Sequence, residues 1–316
     1  MADEIQKNKG VSYSQYSTWV SCHRQWKLQY VDKLRNPERG IELVFGTAMH
    51  NCIQQWLPIH YSQPKKAKSM DLEESFKEFL IKEFKSAIIY EKDSTGQNTK
   101  TILFAPSTKE ELQEYYEDGC GILNHVQKYG EDFFPTKDYE LVGCEIALKK
   151  KLINELDFVG YVDIIICDTK LQHYYIIDLK TSRMGWYPAQ KKDAKKINQL
   201  LLYKKFYSEL LEVPLDHIYP LFIILKRKIQ VHEDFVIRRL SKVEPSHGSV
   251  SMKKMETSWN TFLTECFDEN GKYKAEQNDV PSPSESNCKY CYFKENAELC
   301  KDSWYLRVKR TRKVKE

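Results

Sequence analysis

Between Gly160 and Ser182 two hydrophobic runs each deliver an aspartate, Asp163 and Asp178, and Lys180 follows two places after the second. The apolar runs Ile164-Ile165-Ile166 and Tyr174-Tyr175-Ile176-Ile177 are bounded by turn-forming residues, which predicts two buried strands. Side chains alternate faces along a strand, so Asp178 and Lys180 project to one side and Leu179 to the other. Two carboxylates beside an ammonium suit hydrolysis of a phosphodiester. The carboxylates hold a hard divalent cation, and the cation and the lysine neutralise charge that develops on the phosphate. A lone Asp-x-Lys triplet arises often by chance; the second aspartate and the Thr181-Ser182 turn give it weight.

A second group of chemistry-bearing residues lies near the C-terminus. Of nine cysteines, Cys52, Cys120, Cys144, Cys167 and Cys266 are scattered among apolar neighbours, as small core residues or inert thiols are. Cys288, Cys291 and Cys300 instead crowd a short polar segment as C-x2-C-x8-C, which favours metal or cluster ligation over packing. Three ligands leave one missing. Basic residues also cluster, at Lys191, Lys192, Lys195 and Lys196 and again from Arg307 to Lys315. Such clusters track a phosphate backbone or form solvated surface, and the C-terminal one fits both readings. Trp186 and Tyr187 precede the first cluster; they can stack bases or pack over a sheet.

These residues need elements to hold them. The pattern predicts helices over 13–30, capped by Ser14, over 44–61, 71–90 and 110–129, with a polar loop over 91–100. From Tyr139 it changes to strands, over 141–148, 152–159, 160–167 and 174–180. A helix over 189–211, strands over 218–225 and 231–238, and a helix over 250–267 complete the order. The fold class is α/β: a mixed central sheet flanked by helices, with a helical N-terminal half and a cysteine-rich tail. The division expected is 1–138 helical, 139–240 the core, and 241–316 the C-terminal helix, ligand segment and basic tail. The 316 residues carry a net charge of +4, from 49 basic and 45 acidic side chains, so the chain is no bulk polycation. It has no run of ~18 apolar residues and no apolar leader at its start, which predicts a cytoplasmic protein with no membrane partner.

In chain order, several of these pieces resemble the PD-(D/E)XK nuclease superfamily, specifically its RecB-like branch, which includes the CRISPR-associated exonucleases that carry an iron–sulfur cluster. Gly46-Thr47-Ala48-Met49-His50 resembles the early GxxxH motif, and Glu145 takes the place of an acidic residue on the first core strand. Gly160 to Asp163 resembles GxxD, Asp178-Leu179-Lys180-Thr181-Ser182 resembles DxKT[SG], and Gln199 to Tyr203 resembles QxxxY. The likeness spans about Ser12 to Cys300. It implies a restriction-endonuclease-like core with Mg2+ or Mn2+ on His50, Asp163, Asp178 and the Leu179 carbonyl. Lys180 then orients or activates water and stabilises the transition state. Glu145 binds a second cation, positions water, or is plain surface. Gln199 and Tyr203, four apart, share a helix face toward the site, where Tyr203 is as well placed to be core.

The resemblance also supplies the missing thiolate. Cys22 matches the family's N-terminal cysteine, so Cys22, Cys288, Cys291 and Cys300 make the ligands of a 4Fe-4S cluster that clasps both ends of the chain over the core. The longer gap before Cys300 keeps tetrahedral zinc open. The resemblance thus implies a metal-dependent DNA nuclease, an exonuclease on single-stranded DNA or DNA ends, serving recombination, repair, CRISPR adaptation or viral genome processing. Trp186, Tyr187 and the lysines 191, 192, 195 and 196 would contact the DNA. No helicase motif is present, so unwinding falls to a partner. The competing reading is a non-catalytic, cluster- or zinc-bearing DNA-binding adaptor, against which the intact Asp-x-Lys triplet argues.

Overall fold

The computed structural model of the chain describes residues 10–152, 156–229 and 238–313. At its centre is a five-stranded sheet of order β3-β4-β5-β6-β7, where β3 is Tyr139–Lys151, β4 Asp157–Asp168, β5 His173–Ser182, β6 Ile218–Lys226 and β7 Leu240–Val243. β3, β4 and β5 run as an antiparallel meander, β5 and β6 pair in parallel, and β7 returns antiparallel. A parallel pair requires a crossover, and the chain supplies it with α7 (Pro188–Lys191) and α8 (Ala194–Leu211).

Both faces of the sheet are covered, which is why β4 and β5 read as nearly continuous apolar runs. One face packs under α1 (Tyr13–Ser21), α8 and α9 (Ser249–Cys266), in a core built on Tyr16, Phe158, Phe206, Trp259 and Phe262. The other packs under α3 (Ile41–Ser62), α5 (Leu72–Ala87) and α6 (Lys109–Tyr129), around Phe45, Trp56, Phe76 and Phe134. The result is three layers, helix–sheet–helix. Short helices complete the chain: α2 (His23–Trp26) with a π turn at Lys27–Val31, α4 (Pro64–Lys68), α10 (Glu285–Cys288) and α11 (Trp304–Lys313). Among the described residues, no helix is long and apolar enough to cross a membrane.

Several boundaries differ from those expected of the sequence, each for a physical reason. The N-cap of α1 is Ser12, whose hydroxyl accepts from Gln15 N–H at 3.3 Å, rather than Ser14. The helix over 13–30 is broken at Cys22, which is extended at φ −165°, ψ 113°. The helix over 189–211 is two, because Asp193 caps α8 through Lys195 N–H at 3.0 Å. Of the strands expected over 152–159 and 160–167, residues 153–155 lie outside the described residues, and the rest from Asp157 onward is one strand, β4. Gly160 looks like a break, but a Cβ there would stand 2.9 Å from both Phe158 Cζ and Tyr203 Cε1, so the glycine serves close packing. The helix over 71–90 ends at Ala87. The polar stretch over 91–100 lies in a hairpin, β1 (Ile89–Lys92) with β2 (Asn98–Phe104), whose solvated faces carry no apolar alternation. The strand expected over 231–238 falls almost wholly outside the described residues.

Candidate active site

The site forms where the sheet comes apart. The β4–β5 ladder ends at Ile164↔Ile177, and one further step would set Asp163 against Asp178. Instead the strands part, and Asp163 Oδ2 accepts the Leu179 N–H at 2.8 Å, replacing a ladder bond with a side-chain one. On the other side, β3 pairs Cys144 with Ile164 and Ile146 with Val162, which sets Glu145 opposite Asp163. Glu145, Asp163 and Asp178 therefore form a row across three adjacent strands.

Glu145 has φ 50°, a left-handed backbone in the middle of a strand. For a residue with a Cβ this costs of order 1–3 kcal/mol and persists only where the surroundings enforce it. Its effect is visible in the alternation of faces. Leu148 on β3 and Phe158 and Val162 on β4 belong to the α8-side core, whereas Cys144, Ile164 and Ile166 face the α3 side, although the residue parity is unchanged. A left-handed residue inside a strand re-aims the side chains on either side of it without shifting the register.

Helix α3 meets the row from one layer. His50 Nδ1 is 3.5 Å from Asp163 Oδ2. One turn on, Gln54 Nε2 donates to Glu145 Oε1 at 2.8 Å and to the Asp163 carbonyl at 3.2 Å. From β5, Lys180 Nζ donates to Asp178 Oδ1 at 3.0 Å. Asp178 Oδ2 is buried and accepts no hydrogen bond, although the ammonium is 2.8 Å away. A buried carboxylate oxygen without a hydrogen bond is what an oxygen-seeking cation would satisfy.

The charges here are strongly coupled. Burial, and next the Asp178 charge, hold the Asp163 carboxyl well above the usual carboxylate range. Burial pushes His50 below the ordinary imidazole value, which leaves it neutral and able to ligate at pH 7. Burial opposes the charge on Lys180, but Asp178 and Asp163 outweigh it and hold the ammonium above the ordinary lysine value.

Helix α8 closes the site from the opposite layer. Gln199 Nε2 donates to Tyr203 OH at 3.4 Å, and the Tyr203 ring packs against Gly160 and Phe158. Tyr203 is thus a core residue whose hydroxyl also feels the charge of the carboxylates: burial raises its pKa most, and Asp178 and Asp163 add to it. Trp186 is packed against Phe222, with Lys196 Nζ 4.5 Å from its ring centroid. Tyr187, Lys191 and Lys192 are exposed, whereas Lys195 Nζ is engaged, donating to Asn287 Oδ1 at 2.7 Å.

That last bond leads to the cysteines. Cys22, Cys288, Cys291 and Cys300 line one cavity between α1, α2 and the C-terminal segment. Ser282 N–H donates to Cys22 Sγ at 3.4 Å. Burial, and after it the three other thiols, push Cys291 up to about 11. Asn287 ties the parts together, its Nδ2 donating to Ser21 O at 2.8 Å and Ser282 O at 3.0 Å, while Arg24 Nε donates to Leu299 O at 2.9 Å. The other five cysteines lie elsewhere. Among the described residues, no three His, Cys, Asp or Glu side chains are drawn close enough to hold a metal as they stand. Gln54, Ser282 and Asn287 are not marked by any motif in the sequence. Only Gln54 carries a signal there, four places after His50 on a helix.

A family model of the PD-(D/E)XK nuclease superfamily matches residues 10–296 of the chain. No curated protein matches it.

Proposed function

The chain belongs to the PD-(D/E)XK nuclease superfamily, and from that premise we propose that it is a metal-dependent deoxyribonuclease, an exonuclease acting on single-stranded DNA or DNA ends. The observation that carries this reading is the carboxylate row at the parted strands, with Asp178 Oδ2 buried and accepting no hydrogen bond beside a protonated lysine. Asp163, Asp178, the Leu179 carbonyl and neutral His50 form a mostly oxygen donor set that suits Mg2+ or Mn2+, the imidazole favouring Mn2+. A bound ion would polarise the phosphodiester and ease deprotonation of the attacking water.

The protein's own groups do the rest. Lys180, paired with Asp178, serves as a cation facing charge on the phosphate. Glu145, on the same row, is placed to orient water. Tyr203 keeps its proton through burial, and Gln199 fixes the direction of its hydroxyl. Tyr187, Lys191, Lys192 and Lys196 are the groups free to meet nucleic acid; Trp186 supports Lys196, and Lys195 serves the cysteine segment instead.

The four cysteines suit a 4Fe-4S cluster: four thiols face one cavity, and a backbone N–H already points at one sulfur. Protein isolated without oxygen should be brown, and Cys288→Ala colourless; a colourless wild type carrying one zinc assigns the site to zinc. For the activity, labelled single-stranded DNA should be cut with Mn2+ or Mg2+, left intact in EDTA, and left intact by Asp178→Ala. Undiminished cutting by Asp178→Ala would sink the site assignment. DNA binding by a wild type that never cuts would make the protein an adaptor.

A further inference from the structure

We propose that Gln54 is a positioning residue of the active site, acting through Glu145 and resting on the nuclease reading of that site. Its amide nitrogen donates to two acceptor oxygens, one of the Glu145 carboxylate at 2.8 Å and the Asp163 carbonyl at 3.2 Å. Both demand a donor, so the NH2 group, and not the amide oxygen, must face the strands.

Gln54 meets the Asp163 carbonyl where β3 turns left-handed. The ladder pairs Cys144 with Ile164 and Ile146 with Val162 but not Glu145 with Asp163, and the left-handed residue falls at that gap. The side-chain amide bonds the Asp163 carbonyl and the Glu145 carboxylate together. Gln54 thus fixes Glu145 in the row with Asp163, while His50, one turn earlier on the same helix face, meets the Asp163 carboxylate itself.

A neutral donor is the right chemistry for that task. Lysine or arginine at this position would pair with Glu145 and cancel its charge, whereas an amide orients the carboxylate and leaves the charge available to water or a cation. Groups that orient a metal-site carboxylate in this way commonly change metal affinity or activity by about 10- to 100-fold when removed. Gln54 is only partly buried and belongs to neither apolar core, so its removal should leave folding largely alone.

The test is a double-mutant cycle on the full chain with Gln54→Ala and Glu145→Gln, with Gln54→Glu as an isosteric variant that repels Glu145. Turnover on labelled single-stranded DNA should fall about 10- to 100-fold in each single variant, with KM for DNA and the melting temperature in EDTA unchanged. The double variant should be no worse than Glu145→Gln alone. Mn2+ binding, followed by the electron paramagnetic resonance of the free ion, should weaken in Gln54→Glu with the same lack of additivity. Losses that multiply in the double variant, or full turnover and unchanged Mn2+ binding in Gln54→Ala, overturn the proposal. If the wild type binds Mn2+ but cuts nothing, the nuclease reading fails, and the Mn2+ arm of the cycle still decides the role of Gln54.

Discussion

Asp163 does two things at once: one carboxylate oxygen takes the place of a ladder bond to Leu179, and the whole group sits buried beside Asp178. Ionising it without a cation is unfavourable, which is the meaning of its raised pKa. A carboxyl held above its unfolded value costs the metal-free chain stability as pH rises past the ordinary carboxylate value, and the cost is complete above the folded value. A bound divalent ion removes that cost. The melting temperature should therefore rise more on adding Mn2+ at pH 8 than at pH 5, as scanning fluorimetry can check. A rise independent of pH would mean that Asp163 is not where the ion binds.

Among the elements, β4 shows how local rules give way to packing. Gly160 invites a break in the strand, yet it lets the Tyr203 ring of α8 lie directly on β4. Gly160→Val should cost about 1–3 kcal/mol in urea unfolding through overpacking, and should lower activity by displacing Tyr203. A variant as stable as the wild type would show that α8 is free to lift. The elements of the candidate site are legible in the sequence because Asp163, Asp178 and Lys180 ride on apolar runs, and His50 and Gln199 on helical periods. What stays hidden there is geometry with no compositional mark: the switch of faces at Glu145, the parting of β4 from β5, and the hairpin β1–β2, whose solvated strands have no face to bury. Asn287 is silent for a related reason, since an amide's use depends wholly on what stands opposite it.

Across the whole molecule, Asn287 joins the cysteine segment to two elements of the nuclease core at once. Asn287 reaches Ser21 at the end of α1, Ser282 in the tail and Lys195 in the first turn of α8, and Tyr13 OH bonds the Lys195 carbonyl. The next residue, Lys196, is near enough to Lys180 to feel its charge. Asn287→Leu leaves two carbonyls and an ammonium without their partner. It should lower stability by about 1 kcal/mol in thermal unfolding, given partial exposure, and should hasten loss in air of the visible absorbance that the proposed cluster would give. Unchanged absorbance decay would mean that the thiols are held by their own segment alone.

The same clasp sets a clock on synthesis. Cys22 and Ser282 are 260 residues apart in the chain, and at roughly 5–20 residues per second a ribosome needs about 13–52 seconds to pass from one to the other. By the last part of that interval α1 and the site residues His50, Asp163, Asp178 and Lys180 have been made, while the segment that fixes the start of α8 has not. A nascent chain therefore carries every acidic group of the candidate site, Glu145, Asp163 and Asp178, before the contact that ties the cysteine segment to α1 can form.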